Sequence, residues 1–279
     1  NCFVETGRRT EQRHETKMSS RIEEDAESKK MLRKYKETMR TKALDIILRT
    51  LPKKVVSLDE ALKNDARLTH TCAEIDTVFR EDMKEARKKA EEAQKKREEA
   101  EAGETAPKKR KLDDSHSSEG DESEKGGVKD FEMCMPSNRL VVESTELLRK
   151  ELLEVIDNFD TVKLWIQLNI PRIEDGNNFG VSVQEDTVSE VSRAEDNAFA
   201  LLEVITKYYI ARAKLVTKCF KYPNLADFET AVSEVDQKQY LNTVLSVVDL
   251  RNNYALIYDM IIKNMDKLEN PRSSEHMSH

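Results

Sequence analysis

Glycine and proline are scarce in this chain, seven and six in 279 residues, and aromatic side chains make up 6% of it with a single tryptophan. Sandwiches and barrels reverse direction every 8–12 residues or so and spend turn formers at each reversal. So few turn formers exclude an all-β fold of this length. No apolar run approaches the roughly 18 residues that span a bilayer as a helix, which predicts no membrane partner. The four cysteines, Cys2, Cys72, Cys134 and Cys219, lie far apart with no C-x-x-C, the pattern of free thiols in a reducing compartment. The five histidines (His14, His70, His116, His276 and His279) pair with no Cys, Asp or Glu at metal-ligand spacing. There is no G-x-S-x-G, no P-loop and no dinucleotide fingerprint. The reading is of a non-enzyme with no metal and no cofactor.

What is abundant is charge. Charged residues are 36% of the chain and apolar residues 38%, with a formal net charge of −7. That balance gives no support for nucleic acid as a partner. It fits long helices that bury only a stripe and leave the rest in water.

Residues 1–17 are polar and aperiodic, and Met18 followed by Ser19 and Ser20 reads as a start, so 1–17 are expected to stand outside the fold as a leader. Residues 18–63 carry the first helix. From about Ile22 to Leu51, Met31, Tyr35, Met39, Leu44 and Ile47/Leu48 recur at helical steps; Pro52 closes or kinks the helix, and Val55 to Leu62 continue it briefly. Residues 64–136 change character. Ile75 to Phe79 are weakly apolar, and Lys84 to Ala102 alternate Lys/Arg with Glu at helical spacing with no apolar stripe beyond alanine. That run is either a solvated helix or a multivalent docking segment for a charged partner. Gly103 to Gly127, rich in Ser, Asp, Glu and Gly, is expected to be disordered. Within it Lys108, Lys109, Arg110 and Lys111 form a basic run, either merely solvated or an import signal offered to an importin.

Residues 137–279 read as three long helices punctuated by proline. Pro136-Ser137-Asn138 is a start signal for a segment running to about Asn169. A second runs from about Gln184 to Tyr222, Asn224 to Asp236 make a turn, and a third runs from about Gln237 to Asn270 before Pro271. With the first segment this predicts an all-α, up-down-up-down four-helix bundle carrying a long charged, disordered insert between helices 1 and 2. Doublets such as Tyr208/Tyr209 and Ile261/Ile262 widen the apolar stripes, and a second apolar flank suggests packing against another subunit.

One connection stands out, residues 171–181. The only glycines between residues 128 and 279, Gly176 and Gly180, both fall in it. It holds Arg172, Glu174, Asp175, Gly176, Asn177, Asn178, Phe179 and Gly180. Asp-Gly-Asn-Asn favours turns and left-handed backbone, and a Phe between Asn and Gly is expected to pack or dock. Read from these residues alone, the stretch is either a tight αα-hairpin or a shaped loop presented to a partner.

The sequence from Asp160-Thr161-Val162-Lys163 through W-I-Q-L-N-I-P-R-I-E-D-G-N-N-F-G-V-S-V-Q to Glu185 resembles the proteasome activator family, also called REG or the eleven-S regulator. K-Y-Y-I-A-R-A-K-L-V at 207–216, L-R-N-N-Y at 250–254 and P-R-S-S at 271–274 are similar too. The resemblance is strong over 137–274 and weaker over 20–63. The basic run and P-R-S-S look most like the gamma-type, nuclear branch. The Lys/Glu helix looks more like the alpha type, and the chain ends E-H-M-S-H where relatives often end in tyrosine.

The resemblance implies a four-helix subunit of a homoheptameric ring that caps the core proteasome without ATP or ubiquitin and stimulates peptide hydrolysis. It implies that the tail Ser273, Ser274, Glu275, His276, Met277, Ser278 and His279, within 271–279, docks between outer-ring subunits. The loop Arg172 to Gly180 becomes the activation loop that opens the gate. The gamma-type likeness implies the nucleus, with some protein in the cytoplasm. The rival reading is a helical scaffold or coiled-coil adaptor whose loop is a plain hairpin.

Overall fold

The computed structural model describes residues 26–103 and 135–272. Within them the chain forms five helices and no strand. Helix α1 covers 26–64, α2 Cys72–Gly103, α3 Arg139–Asn169, α4 Phe179–Lys221 and α5 Ala226–Glu269, with a short 3₁₀ turn at Ala66–Leu68. At 1.5 Å per residue the 43 and 44 residues of α4 and α5 each make rods of about 65 Å. No helix among the described residues is long and apolar enough to cross a membrane.

Pro52 does not end α1. A π-turn at Ile46–Thr50, in which the Leu51 N–H reaches the Ile46 carbonyl, widens the helix just before the proline, and the helix resumes at Leu51–Asn64. A widened turn at this point accommodates a residue that has no N–H to give. Two expectations are corrected. Helix α4 begins at Phe179 rather than near Gln184. Helix α5 begins at Ala226, so the turn is confined to 222–225, and Asp227 and Glu229 in its first turn complement the helix dipole.

The chain divides into two compact units. The first holds residues up to Thr69, Glu146–Lys207 and the chain from Thr243 onward. It is the expected four-helix bundle. Ala43, Ile47 and Leu51 of α1, Leu148, Leu152, Phe159, Trp165 and Ile166 of α3, Val191 and Ile205 of α4, and Tyr254 and Ile261 of α5 are buried in it. Phe159 and Tyr254 meet edge to face with centroids 5.4 Å apart, a favoured aromatic geometry. Polar ties fix the direction of each rod. Lys36 Nζ donates to the Leu168 carbonyl at 3.0 Å, while Lys54 Nζ, five turns on, meets Glu151 at 2.8 Å and Glu154 at 2.5 Å. Rising numbers on α1 match falling numbers on α3, so the two are antiparallel. Arg40 with Glu269 and Asp59 with Arg251 give the same result for α1 and α5.

The second unit holds His70–Thr145 and Tyr208–Asn242. Its α2 segment opens with a capping box: Thr71 N–H donates to Glu74 Oε2 at 2.7 Å and Glu74 N–H to Thr71 Oγ1 at 3.3 Å. From there Ile75, Val78, Phe79, Met83 and Ala86 are buried at helical spacing. Phe79 and Met83 pack with Val216, Cys219 and Val232. The front of the insert is therefore core. Asn138 caps α3 by accepting from the Leu140 N–H, and its own amide donates to the Ile75 carbonyl at 2.9 Å.

Candidate functional site: the α3–α4 loop and the root of the C-terminal segment

Helix α3 ends at Asn169 and α4 starts at Phe179, so nine residues span the connection. Their backbone turns at two left-handed residues, Gly176 at φ 81° and Asn177 at φ 49°. Glycine takes that region freely and asparagine tolerates it, because its short side chain can bond to nearby backbone. The D-G-N-N order is thus a local instruction for this turn. Of the residues expected in the loop, Arg172, Glu174, Asp175, Gly176, Asn177 and Asn178 lie in it, whereas Phe179 and Gly180 open α4.

The base of the loop is held from several sides within the first unit. The α3 carbonyl of Leu168 receives the Lys36 ammonium, a cation where a helix C-terminus favours one. Gln184, fully buried on α4, donates its amide to the Leu268 carbonyl of α5 at 2.9 Å. At the end of α5 the guanidinium of Arg272 reaches back across the loop. Its Nη1 donates to the Arg172 carbonyl at 2.9 Å and to Glu174 Oε2 at 3.0 Å, and its Nη2 to Asn178 Oδ1 at 3.1 Å. Glu174 is also paired with Arg172 Nε. The Asn178 amide donates to the Glu174 carbonyl at 3.4 Å. A cleft of about 250 Å³ lies behind the loop, lined by Ile170, Pro171, Glu174, Val181, Glu185 and Arg272 among others.

The outward face is different. Ile173 is completely exposed and Phe179 is 73% exposed. Of the two expectations for Phe179, to pack or to dock, packing is not seen among the described residues and docking stays open. Two large apolar groups are therefore offered to solvent on a segment whose base is fixed, an arrangement suited to contact rather than to catalysis. The remaining expected site residues, Ser273 to His279 and Lys108 to Lys111, lie outside the described residues.

A helical bundle with a fixed nine-residue loop has close relatives. The chain matches the family model "Proteasome activator PA28, C-terminal" over residues 134–278 and "Proteasome activator PA28, N-terminal" over 26–77. It belongs to the PA28 proteasome activator family. Such an activator regulates proteolysis rather than catalysing it. The chain is 37% identical over 262 residues to human proteasome activator complex subunit 3, covering 92% of this chain and 98% of that one. It is 33% identical to proteasome activator 28 of Dictyostelium discoideum over 86% and 89% of the two chains. Among solved structures it superposes on the 11S subunit of the Plasmodium falciparum proteasome, PA28, with a TM-score of 0.62 at 29% identity, covering 88% and 92%. An 11S activator solved in complex with a proteasome shares the fold at 15% identity and a TM-score of 0.52.

Sequence reasoning found the loop but missed Lys36, Gln184 and Arg272. Arg272 was in view as part of P-R-S-S, yet its partners lie 94 to 100 residues away. No local spacing signals such a contact.

Proposed function

We propose that this chain is a non-catalytic subunit of a homoheptameric ring that caps the core proteasome and stimulates peptide hydrolysis without ATP or ubiquitin. The segment Ser273–His279 docks between subunits of the outer ring, and the α3–α4 loop presses on the gate. The observation that carries this reading is the loop itself: a base tied by Arg272, a turn fixed at Gly176 and Asn177, and an outward face bearing exposed Ile173 and Phe179. Self-assembly is supported by large apolar side chains left in water by the bundle. Leu153 on α3, Phe199 and Val204 on α4, and Leu245 and Leu256 on α5 are all exposed. So many on one protomer fit surfaces that a neighbouring copy would cover. Nuclear residence, with a cytoplasmic fraction, follows from the basic run Lys108–Lys111 read as an importin ligand.

The test is fluorogenic-peptide hydrolysis by purified core proteasome with and without this protein, beside its mass in solution. Stimulation by a particle of about seven times 32.2 kDa is expected. A monomer or dimer that leaves hydrolysis unchanged would instead support the scaffold reading. Alanine at Lys108 to Lys111 should move the protein toward the cytoplasm, and an unaltered nuclear signal rejects the import assignment.

A further inference from the structure

The C-terminal segment and the loop meet at one side chain. Pro271 is buried, and its carbonyl lies against the α4 backbone so closely that Gly180 has no room for a Cβ. The next residue, Arg272, sends its guanidinium to both limbs of the loop: the Arg172 carbonyl and the Glu174 carboxylate on the way out, and Asn178 on the way back. Its side chain is 17% exposed, against 87% for Arg172. A guanidinium presents its donors in a rigid planar fork, so bonds to three acceptors fix their spacing as well as their attraction. Residues 273–279 follow directly. The residue that ties the base of the loop is therefore also the one that joins that segment to the rest of the chain.

We propose that Arg272 is a positioning residue that locks the shape of the loop and couples it to the C-terminal segment, so that the element assigned to docking and the element assigned to gating act as one body. The inference rests on the function proposed above for those two elements, but the contact it names exists in the free subunit. Sites coupled through a shared contact influence each other reciprocally. A C-terminal segment held by a partner steadies Arg272, and a steadied Arg272 narrows the ensemble of the loop.

The experiment compares the wild type with Arg272→Met, Arg272→Lys and Glu174→Gln in the assembled full-length protein. Hydrogen exchange of the Ser182 amide, which donates to the carbonyl of the clamped Asn178 at 2.9 Å, reads the lock without any proteasome. Arg272→Met should speed exchange there roughly tenfold, the scale of one lost charge-assisted hydrogen bond. Arg272→Lys should recover only part, since an ammonium cannot span the three acceptors. Titration into core proteasome reads the coupling. Arg272→Met should lower maximal stimulation several-fold at saturating activator. Glu174→Gln leaves the C-terminal sequence untouched and should lower the same maximum, with a rise in the half-saturating concentration as reciprocity requires. Unchanged exchange at Ser182 in Arg272→Met overturns the lock. Faster exchange with full maximal stimulation, or a shift in half-saturation alone, overturns the coupling and makes Arg272 a docking residue only. A wild type that fails to stimulate at all refutes the proposed function, and the exchange arm still decides whether the lock exists.

Discussion

Gly180, in the first turn of α4, faces the backbone of Pro271 beyond the end of α5: a Cβ on Gly180 would fall 2.1 Å from the Pro271 carbonyl oxygen and 2.7 Å from its carbonyl carbon. Neither neighbour is a flexible side-chain tip that could turn aside. Gly180→Ala must therefore push the start of α4 and the end of α5 apart. Overpacking of this kind costs about 1–3 kcal/mol. Because the site is at one end of the bundle, the expected outcome is a modest fall in thermal stability with a large loss of stimulated peptide hydrolysis. Calorimetry and the fluorogenic assay on the same preparation check it. A variant with wild-type stimulation would show that this close approach is incidental to function.

Asn177 sits at φ 49°, next to Gly176 at φ 81° with open space around the latter. The constraint at both positions is in the backbone alone. A β-branched residue is disfavoured at positive φ, and holding it there costs about 1–3 kcal/mol. Asn177→Val should redirect the loop tip, leaving helicity and assembled mass unchanged but removing most of the maximal stimulation. Asn177→Gly, which accepts the same φ, should retain most of it. Equal activity of the Val and Gly variants would detach loop shape from stimulation.

Lys54 lies between Glu151 and Glu154 in the first unit, with side chains of Lys54 and Glu151 16% and 15% exposed. Burial pulls the Lys54 ammonium down, and the two carboxylates more than offset it, so its pKa is raised. A raised lysine contributes stability that is present at neutral pH and is lost as pH climbs through its raised folded-state value. Lys54→Met keeps the aliphatic stem but leaves two carboxylates facing each other. It should destabilise the bundle by about 1–3 kcal/mol near neutral pH. The deficit should be relieved by neutralising the carboxylates with Glu151→Gln and Glu154→Gln. Urea unfolding near neutral pH measures it, and a deficit that those two changes leave in place would locate the cost in packing.

How much of this was legible in the sequence depended on the range of each signal. The start of α3 at Pro136-Ser137-Asn138 and its end before Pro171 are local, and the helix runs from Arg139 to Asn169. The turn at Gly176 and Asn177 is local as well. Pro52 marked the place where α1 is interrupted and then continues, but the π-turn that accommodates it has no sequence mark of its own. The early start of α5 was legible in Asp227, Phe228, Glu229 and Val232, acids for the first turn and apolar residues four apart, but the charged composition masked them. The same masking left Ile75 to Phe79 reading as only weakly apolar and hid Met83, although the T-x-x-E box at Thr71–Glu74 marks a helix start there. The lock on the loop was not legible. It joins residues about a hundred positions apart, and only the packing of α3 and α5 in one direction with α4 in the other, in the first unit, brings them together.

In the second unit, Asp236 is fully buried and accepts from Tyr208 Oη at 2.8 Å and from Arg212 Nε at 2.9 Å, with Arg212 itself buried. Burial pushes the Asp236 carboxyl up, opposed by Arg212, Tyr208 and Asn138. An acid raised in the folded state takes up a proton on folding between its unfolded and folded values, so its contribution to stability falls as pH rises through that window. Asp76, held down chiefly by Arg80, works in the opposite sense and loses its contribution as pH falls. Arg212→Met isolates the first effect. It strands a buried carboxylate, which costs about 3–5 kcal/mol when one partner of a buried pair is removed. It also lifts the Asp236 pKa further, so the folded variant regains stability on acidification through that higher value. The deficit relative to wild type should be largest near neutral pH and smaller near pH 4. Arg212→Met combined with Asp236→Leu removes both charges and should recover most of the loss, since the apolar pair leaves no ion to desolvate. Urea unfolding of the single and double variants across this range tests the pair. A deficit that grows on acidification would show that Asp236 contributes through its hydrogen bond to Tyr208 rather than through its charge.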